Sequence, residues 1–342
     1  STCFFMRNTL LCCDWGTTSL RLSLVNTEAL QVLGDVSGLE GIASTYNSWL
    51  AGTGKKISQR KYFQQQLQQQ INALATKLNT DLNTLPVVLS GMASSSIGLE
   101  ELAYAEVPFA LDGSKATVRL LEKQPDFLHE LLLISGIRNH RDVMRGEETQ
   151  LIGLVNLMDL PDSSEKEIVF VFPGTHSKHI QVRKGQIVDF KTYMTGEVFN
   201  LLSQHSILKN SIQSPSSGEL TSEDLYAFSR GIQESENSSI LNSLFSVRTN
   251  QLFDSLNKTQ NFYFLSGLLI GNELRNLQQH PESQIILSSG SNLYPFYQKA
   301  IEKLQLANQT IPVSPELIDK AAMVGQVRIY EQQLSQVNKF LN

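Results

Sequence analysis

The chain has 342 residues, 41% hydrophobic and 18% charged, a globular balance that excludes wholesale disorder. At about 100–200 residues per domain, it predicts two domains. Its 28 basic and 33 acidic side chains give a formal net charge of -5. No basic excess exists to release counterions, so no nucleic-acid partner is expected.

The first elements read as β-structure. Residues 9–13 are a short apolar run, and residues 20–25 alternate apolar and polar side chains. The turn-forming Asp14-Trp15-Gly16-Thr17-Thr18-Ser19 lies between them, which predicts a β-hairpin, with a third strand over 31–36. Residues 56–80 follow helical spacing, with Phe63, Leu67, Ile71, Leu74 and Leu78 on one face and two glutamine triplets on the other. Residues 86–89 and 131–134 are buried strands ending in Ser-Gly, and 146–157 is a helix. A polar loop at 161–164 leads to a strand over 168–172, broken by Pro173-Gly174. Residues 179–182 and 187–190 alternate around Lys184-Gly185, a second hairpin. From Gly196 to Gln279 the chain reads as mainly helical, with a serine-rich loop at 211–218 and a buried helix at 262–270. A strand at 285–287, a helix at 292–304 and a closing helix at 319–335 follow. Two similar hairpins about 150 residues apart point to an internal duplication.

Cys3, Cys12 and Cys13 lack metal-ligand spacing and read as small apolar residues. No apolar stretch reaches the length that spans a bilayer, and residues 4–6 precede no signal-peptide core. A cytoplasmic protein without membrane contact is therefore expected.

Three motifs carry chemistry. In Asp14-x-Gly16-Thr17-Thr18-Ser19, a glycine turn lets phosphate oxygens approach backbone amides and hydroxyls. Asp14 ends a strand, where a carboxylate can hold hydrated magnesium. Pro173-Gly174-Thr175-His176-Ser177-Lys178 repeats this logic, with His176 and Lys178 able to neutralise phosphate charge. Ser288-Ser289-Gly290-Ser291 opens a helix with small residues, suited to a flat ring and a phosphate. Each has a plainer alternative: a polar turn, a structural histidine and a helix cap.

In this order the three motifs resemble the nucleotide site of the sugar kinase, Hsp70 and actin superfamily. Gly91-Met92-Ala93-Ser94-Ser95, Val143-Met144-Arg145-Gly146-Glu147-Glu148-Thr149-Gln150, Met194-Thr195-Gly196-Glu197 and Leu265-Ser266-Gly267-Leu268-Leu269-Ile270-Gly271 narrow the resemblance. With the 173–178 segment they are similar to the 2-dehydro-3-deoxygalactonokinase family. One segment departs: where that family has Gly-Trp-x-Glu-Ala-Pro-Tyr, this chain has Gly98-Leu99-Glu100-Glu101-Leu102-Ala103-Tyr104.

The resemblance implies an α/β protein of two actin-like (ribonuclease H-like) domains with a nucleotide cleft between them. Residues 1–190 are expected to form the first, with 321–342 packing back on it, and 191–320 the second, with a boundary near Thr192. It implies ATP-dependent phosphorylation of a 2-keto-3-deoxy sugar acid at its terminal hydroxyl, with Mg2+. ATP is expected at Asp14, Gly16, Thr17 and Thr18 and at Gly174, Thr175, His176, Ser177 and Lys178, with adenine near Gly290. The second phosphate segment lacks the Asp that many superfamily kinases use as base. Glu148 is the first candidate, in a turn similar to the catalytic glutamate turn of exopolyphosphatases, and Asp142 the second; Glu147 and Glu148 merely stabilising the helix start is the alternative. Arg145, then Arg138, is the candidate for the acid's carboxylate, and Ser94 and Ser95 for its hydroxyls. Glu197 reaches ribose or metal, or caps its helix. A homodimer is one open arrangement. An exopolyphosphatase-like phosphohydrolase and a non-catalytic nucleotide switch remain alternative functions.

Overall fold

A computed structural model describes residues 8–52, 56–158, 160, 166–216 and 220–341. Cys3, the loop at 161–164 and the end of the serine-rich loop lie outside the described residues. The chain divides into two compact units, one of residues 1–162, 185–188 and 317–342, the other of residues 163–184 and 189–316.

The first unit is built on a mixed sheet. Thr9–Trp15, Leu20–Asn26 and Gln31–Gly38 run antiparallel in sequence, and Val87–Gly91 and Leu131–Ile134 add parallel to the first strand's free side. The spatial order is therefore third, second, first, fourth, fifth, with Val118–Leu121 as an added antiparallel edge. Val87–Gly91 and Leu131–Ile134 are buried at every position, as expected of parallel strands covered on both faces. The helix Gln59–Leu78 starts where Ser58 accepts from the Lys61 amide and ends at left-handed Asn79. Its Phe63, Leu67, Ile71 and Leu74 enter the core with Trp15, Leu22 and Leu89. Gln64 departs from the expected polar face and is buried beside them. Cys12 and Cys13 are buried free thiols whose pKa values burial pushes up, which leaves them inert. The closing helix, Pro315–Leu341, begins a turn earlier than its apolar spacing indicates. Its buried Gln326 donates to Cys13 O and Ser90 Oγ, both at 2.8 Å, which ties it to the first and fourth strands.

The second unit repeats the plan. Ile168–Phe172, Ser177–Arg183, Gln186–Tyr193, Gln284–Leu287 and Thr310–Pro312 stand in the same third-second-first-fourth-fifth order, with 185–188 counted in the first unit. This shared order is the ribonuclease H-like arrangement the resemblance implies, present twice. Helices Ser222–Asn237 and Lys258–Leu274 each start with a capping box, Thr221 with Asp224 and Asn257 with Gln260. Phe228, Phe264, Leu268 and Tyr297 fill the core beneath the sheet. The expected boundary near residue 190 differs from this division. Ile168–Phe172 is buried throughout and pairs with Gln284–Leu287 and Ser177–Arg183, which commits the second hairpin's leading strand to the second unit. Among the described residues, no helix is long and apolar enough to cross a membrane.

Candidate active site

In the first unit, three turns meet at the carboxyl ends of the central strands. Asp14 stands beside Ser90 and Trp15 beside Gly91 in the parallel pair. Gly91 has φ +85°, and a Cβ there would lie 2.8 Å from Trp15 O and 3.1 Å from Asp14 Oδ1. Gly146 has φ +110°, and a Cβ there would lie 3.4 Å from the Gly91 Cα. Both positions need glycine's positive φ, and Gly91 also needs its lack of a side chain. The pair brings the 92–95 turn and the 145–148 turn against the Asp14 strand.

Around that junction Arg145 is fixed on several sides. Its Nη1 donates to Ser94 O at 2.8 Å and Ser94 Oγ at 2.6 Å, and its guanidinium carbon lies 4.4 Å from the Tyr104 ring centre. Its Nε is buried with no hydrogen-bond partner. Ser94 Oγ donates to Ile134 O at 2.8 Å, and Ser95 Oγ to Met92 O at 2.7 Å. The two serine hydroxyls thus hold the turn and the arginine. In the segment that departs from the family pattern, Leu99 and Leu102 are buried core residues, while the matching Tyr104 supports Arg145.

Glu147 and Glu148 open the helix Glu147–Leu157. Glu147 Oε2 accepts from the Arg145 amide at 3.2 Å and Glu148 Oε2 from the Gly146 amide at 2.9 Å, which ties both acids to the turn just before the helix, at the positive end of its dipole. Glu148 is only 2% exposed. Burial, and then the Glu147 charge, push its pKa to about 8 against the pull of the backbone amides and Arg145. Asp14 keeps solvent access at its strand end, yet the protein mass around it and Glu147 raise it to about 6. Two upshifted acids in one place make this junction a functional-site candidate. Asp142 and Arg138 lie on a neighbouring turn, where Asp142 Oδ1 accepts from Val143 N at 2.7 Å and Arg138 Nε reaches Asn139 O at 3.4 Å. Thr17 and Thr18 are exposed at the hairpin tip. Gly16 O and Thr17 O accept from the first amides of helix Ile42–Ala51, an element without a sequence signal because it buries only Ile42 and Thr45.

In the second unit, Gly174 follows the first strand and Gly290 follows its parallel neighbour, at the same edge of the sheet. A Cβ at either glycine would meet nothing within 4 Å. Thr175 and His176 are exposed, whereas Ser177 and Lys178 are buried. Ser177 Oγ accepts from Gly174 N at 3.2 Å and shares a hydrogen bond with Tyr297 Oη at 3.1 Å, which closes the turn from within. His176 pairs with Glu197, whose amide donates to Thr175 O at 3.1 Å, so the helix Thr195–His205 starts against this turn.

Tyr104, Tyr297 and Glu273 were not singled out by sequence motifs. Glu273 follows the Leu265–Gly271 motif by two positions, the one signal that could have found it.

The 2-keto-3-deoxy-galactonokinase family model matches residues 14–328. The 2-dehydro-3-deoxygalactonokinase of Escherichia coli strain K12 is 37% identical over 224 residues, 64% of this chain and 71% of that protein. A Rhizobium meliloti protein named as a probable 2-dehydro-3-deoxygalactonokinase is 30% identical over 267 residues, 76% of this chain and 78% of that protein. A solved Sinorhizobium meliloti structure, provisionally described as a 2-dehydro-3-deoxygalactonokinase, matches with a TM-score of 0.72 at 26% identity, covering 94% of this chain and 98% of that one. The family match takes in the Asp14 strand end, the Glu148 turn, the Gly174 turn and Gly290, and the chain belongs to the 2-keto-3-deoxy-galactonokinase family of sugar-acid kinases.

Proposed function

We propose that the protein transfers the γ-phosphoryl group of ATP to the terminal 6-hydroxyl of 2-dehydro-3-deoxy-D-galactonate or a closely related 2-keto-3-deoxy acid. The observation that carries this reading is the buried Glu148, raised to about 8, in the same turn as an Arg145 with an unpartnered Nε. A guanidinium offers a carboxylate a planar fork, so Arg145 binds the acid group of the substrate. Glu148 takes the proton from the attacking hydroxyl; its raised pKa makes it a stronger proton acceptor, at the expense of the ionised fraction at neutral pH.

Phosphoryl transfer also needs charge neutralised on the transferring group. Asp14 and Glu147 crowd one another electrostatically, an oxygen-donor environment that suits hydrated magnesium. Among the described residues no group of three metal-ligating side chains is preassembled. Magnesium does not require one, since it keeps waters and takes phosphate oxygens. When bound, it would be held by Asp14 and would shield phosphate charge. Thr17 and Thr18 are phosphate contacts, and so are Gly174, Thr175 and His176. Ser177 shapes its turn, Lys178 places positive charge behind it, and the open face at Gly290 receives adenine.

The test is ATP consumption against a panel of 2-keto-3-deoxy acids, simple sugars and polyphosphate. ADP release that depends on the keto-deoxy acid is expected. Stimulation by polyphosphate instead, or by no sugar acid, would overturn the proposal.

A further inference from the structure

We infer that Glu273, acting through Tyr297, is a positioning residue that holds the Gly174–Ser177 turn in its nucleotide-binding shape. This inference rests on the proposed role of that turn in binding ATP phosphates.

Glu273 is a carboxylate only 2% exposed, inside the apolar helix Lys258–Leu274. Burying a charge in such a place is costly unless it is well partnered, and a side chain that served only packing would do better as a hydrocarbon. Its partners lead in two directions. Tyr297 Oη donates to Glu273 Oε1 at 3.1 Å, and Thr195 Oγ1 donates to the same oxygen at 2.7 Å. The other oxygen, Oε2, has no hydrogen-bond partner and faces the equally unpartnered His179 Nε2 at 3.6 Å.

The first direction runs into the turn. Because Tyr297 spends its proton on the carboxylate, Ser177 is the donor in its 3.1 Å contact with Tyr297 Oη, the shorter of its two donor contacts, the other reaching Gly174 O at 3.4 Å. Ser177 Oγ is then left as acceptor for the Gly174 amide. A carboxylate can only accept, so it fixes the sense of the whole chain, from Gly174 N–H through Ser177 and Tyr297 to Glu273. Burial, and next the Glu273 charge, push the Tyr297 phenol well up, which keeps it a donor. The second direction runs through Thr195 to the start of helix Thr195–His205, whose Glu197 amide holds Thr175 O. One buried oxygen thus braces the turn at both ends, at Ser177 and at Thr175.

The experiment compares KM for ATP, KM for the keto-deoxy acid and Tm in five variants. Tyr297→Phe removes the link and is expected to raise the ATP KM by about fivefold or more, while the sugar-acid KM stays within about twofold. Glu273→Gln keeps an accepting oxygen and should stay near wild type, whereas Glu273→Leu should raise the ATP KM at least as far as Tyr297→Phe, because it also cuts the Thr195 path. Combining Tyr297→Phe with Glu273→Leu should add little to Glu273→Leu alone, because the Tyr297 path is already cut. Thr175→Ala, at the exposed turn, reports on the underlying reading. If it raises the ATP KM but Tyr297→Phe lowers only Tm, the positioning role is overturned and the phosphate role stands. If neither variant changes the ATP KM, both fall.

Discussion

The two units share a strand order but not a distribution of charge. In the first, the central strand ends in Asp14, and the turn beside it adds Arg145, Glu147 and Glu148, with the Glu147 charge helping to raise the pKa of Asp14 and of Glu148. In the second, the matching strand ends in Pro173-Gly174, and the buried acid nearby, Glu273, is held by two hydroxyl donors on one oxygen. One carboxyl edge is crowded with acids; the other is open at Gly174 and Gly290. On the proposed function, a duplicated scaffold divides its labour by what stands at equivalent strand ends, the acids for the reaction in one copy and an open edge for the nucleotide in the other.

The sharpest way to break this comparison is to neutralise the acid at its centre. Glu148→Gln should lower kcat by about 100-fold or more while ADP affinity stays near wild type, read by steady-state kinetics and calorimetric titration. Near-normal turnover would leave Glu148 a helix cap and nothing more.

A smaller effect tests the crowding itself. Glu148 must lose a proton to act as base, so activity should rise with pH through about 8. Glu147→Gln removes the neighbouring charge and should move that rise to lower pH, by about one unit or less. An unmoved profile would assign the titration to another group.

The smallest effect concerns stability. In the folded protein Glu148 keeps its proton up to about pH 8, but in the unfolded chain it loses it near 4.5. The folded state therefore binds more protons between these values, and stability falls as pH rises across that window. Glu148→Gln cannot titrate, so its Tm should exceed that of wild type by a few degrees at pH 8, and the margin should shrink toward pH 5. A constant margin would place the effect in packing rather than protonation.

Much of the scaffold was legible because it follows local rules. The alternation at 20–25, the helical face from Phe63 to Leu74 and the buried run at 168–172 each meet the structure within a few residues. The division near residue 163 was not legible, because only pairing with Gln284–Leu287 shows which sheet the strand at 168–172 joins. At the site, motif and glycine positions were readable, but their partners were not. Ser94 and Ser95 read as candidates for substrate hydroxyls, and their place in the motif does not show that they donate to Ile134 O and Met92 O. Tyr104 beneath Arg145, and Tyr297 between Glu273 and Ser177, depend on contacts up to 120 residues apart that no local pattern encodes.

The division of labour is tested most directly by titrating the two ligands separately into two variants. Arg145→Lys removes the planar fork from the first unit, and Gly290→Val fills the open face of the second without meeting any neighbour at its Cβ. The account predicts that Arg145→Lys weakens the keto-deoxy acid by about tenfold or more and leaves ADP binding intact, and that Gly290→Val does the reverse. If both variants weakened the same ligand, or if Arg145→Lys left the sugar acid's affinity unchanged, the account would be contradicted.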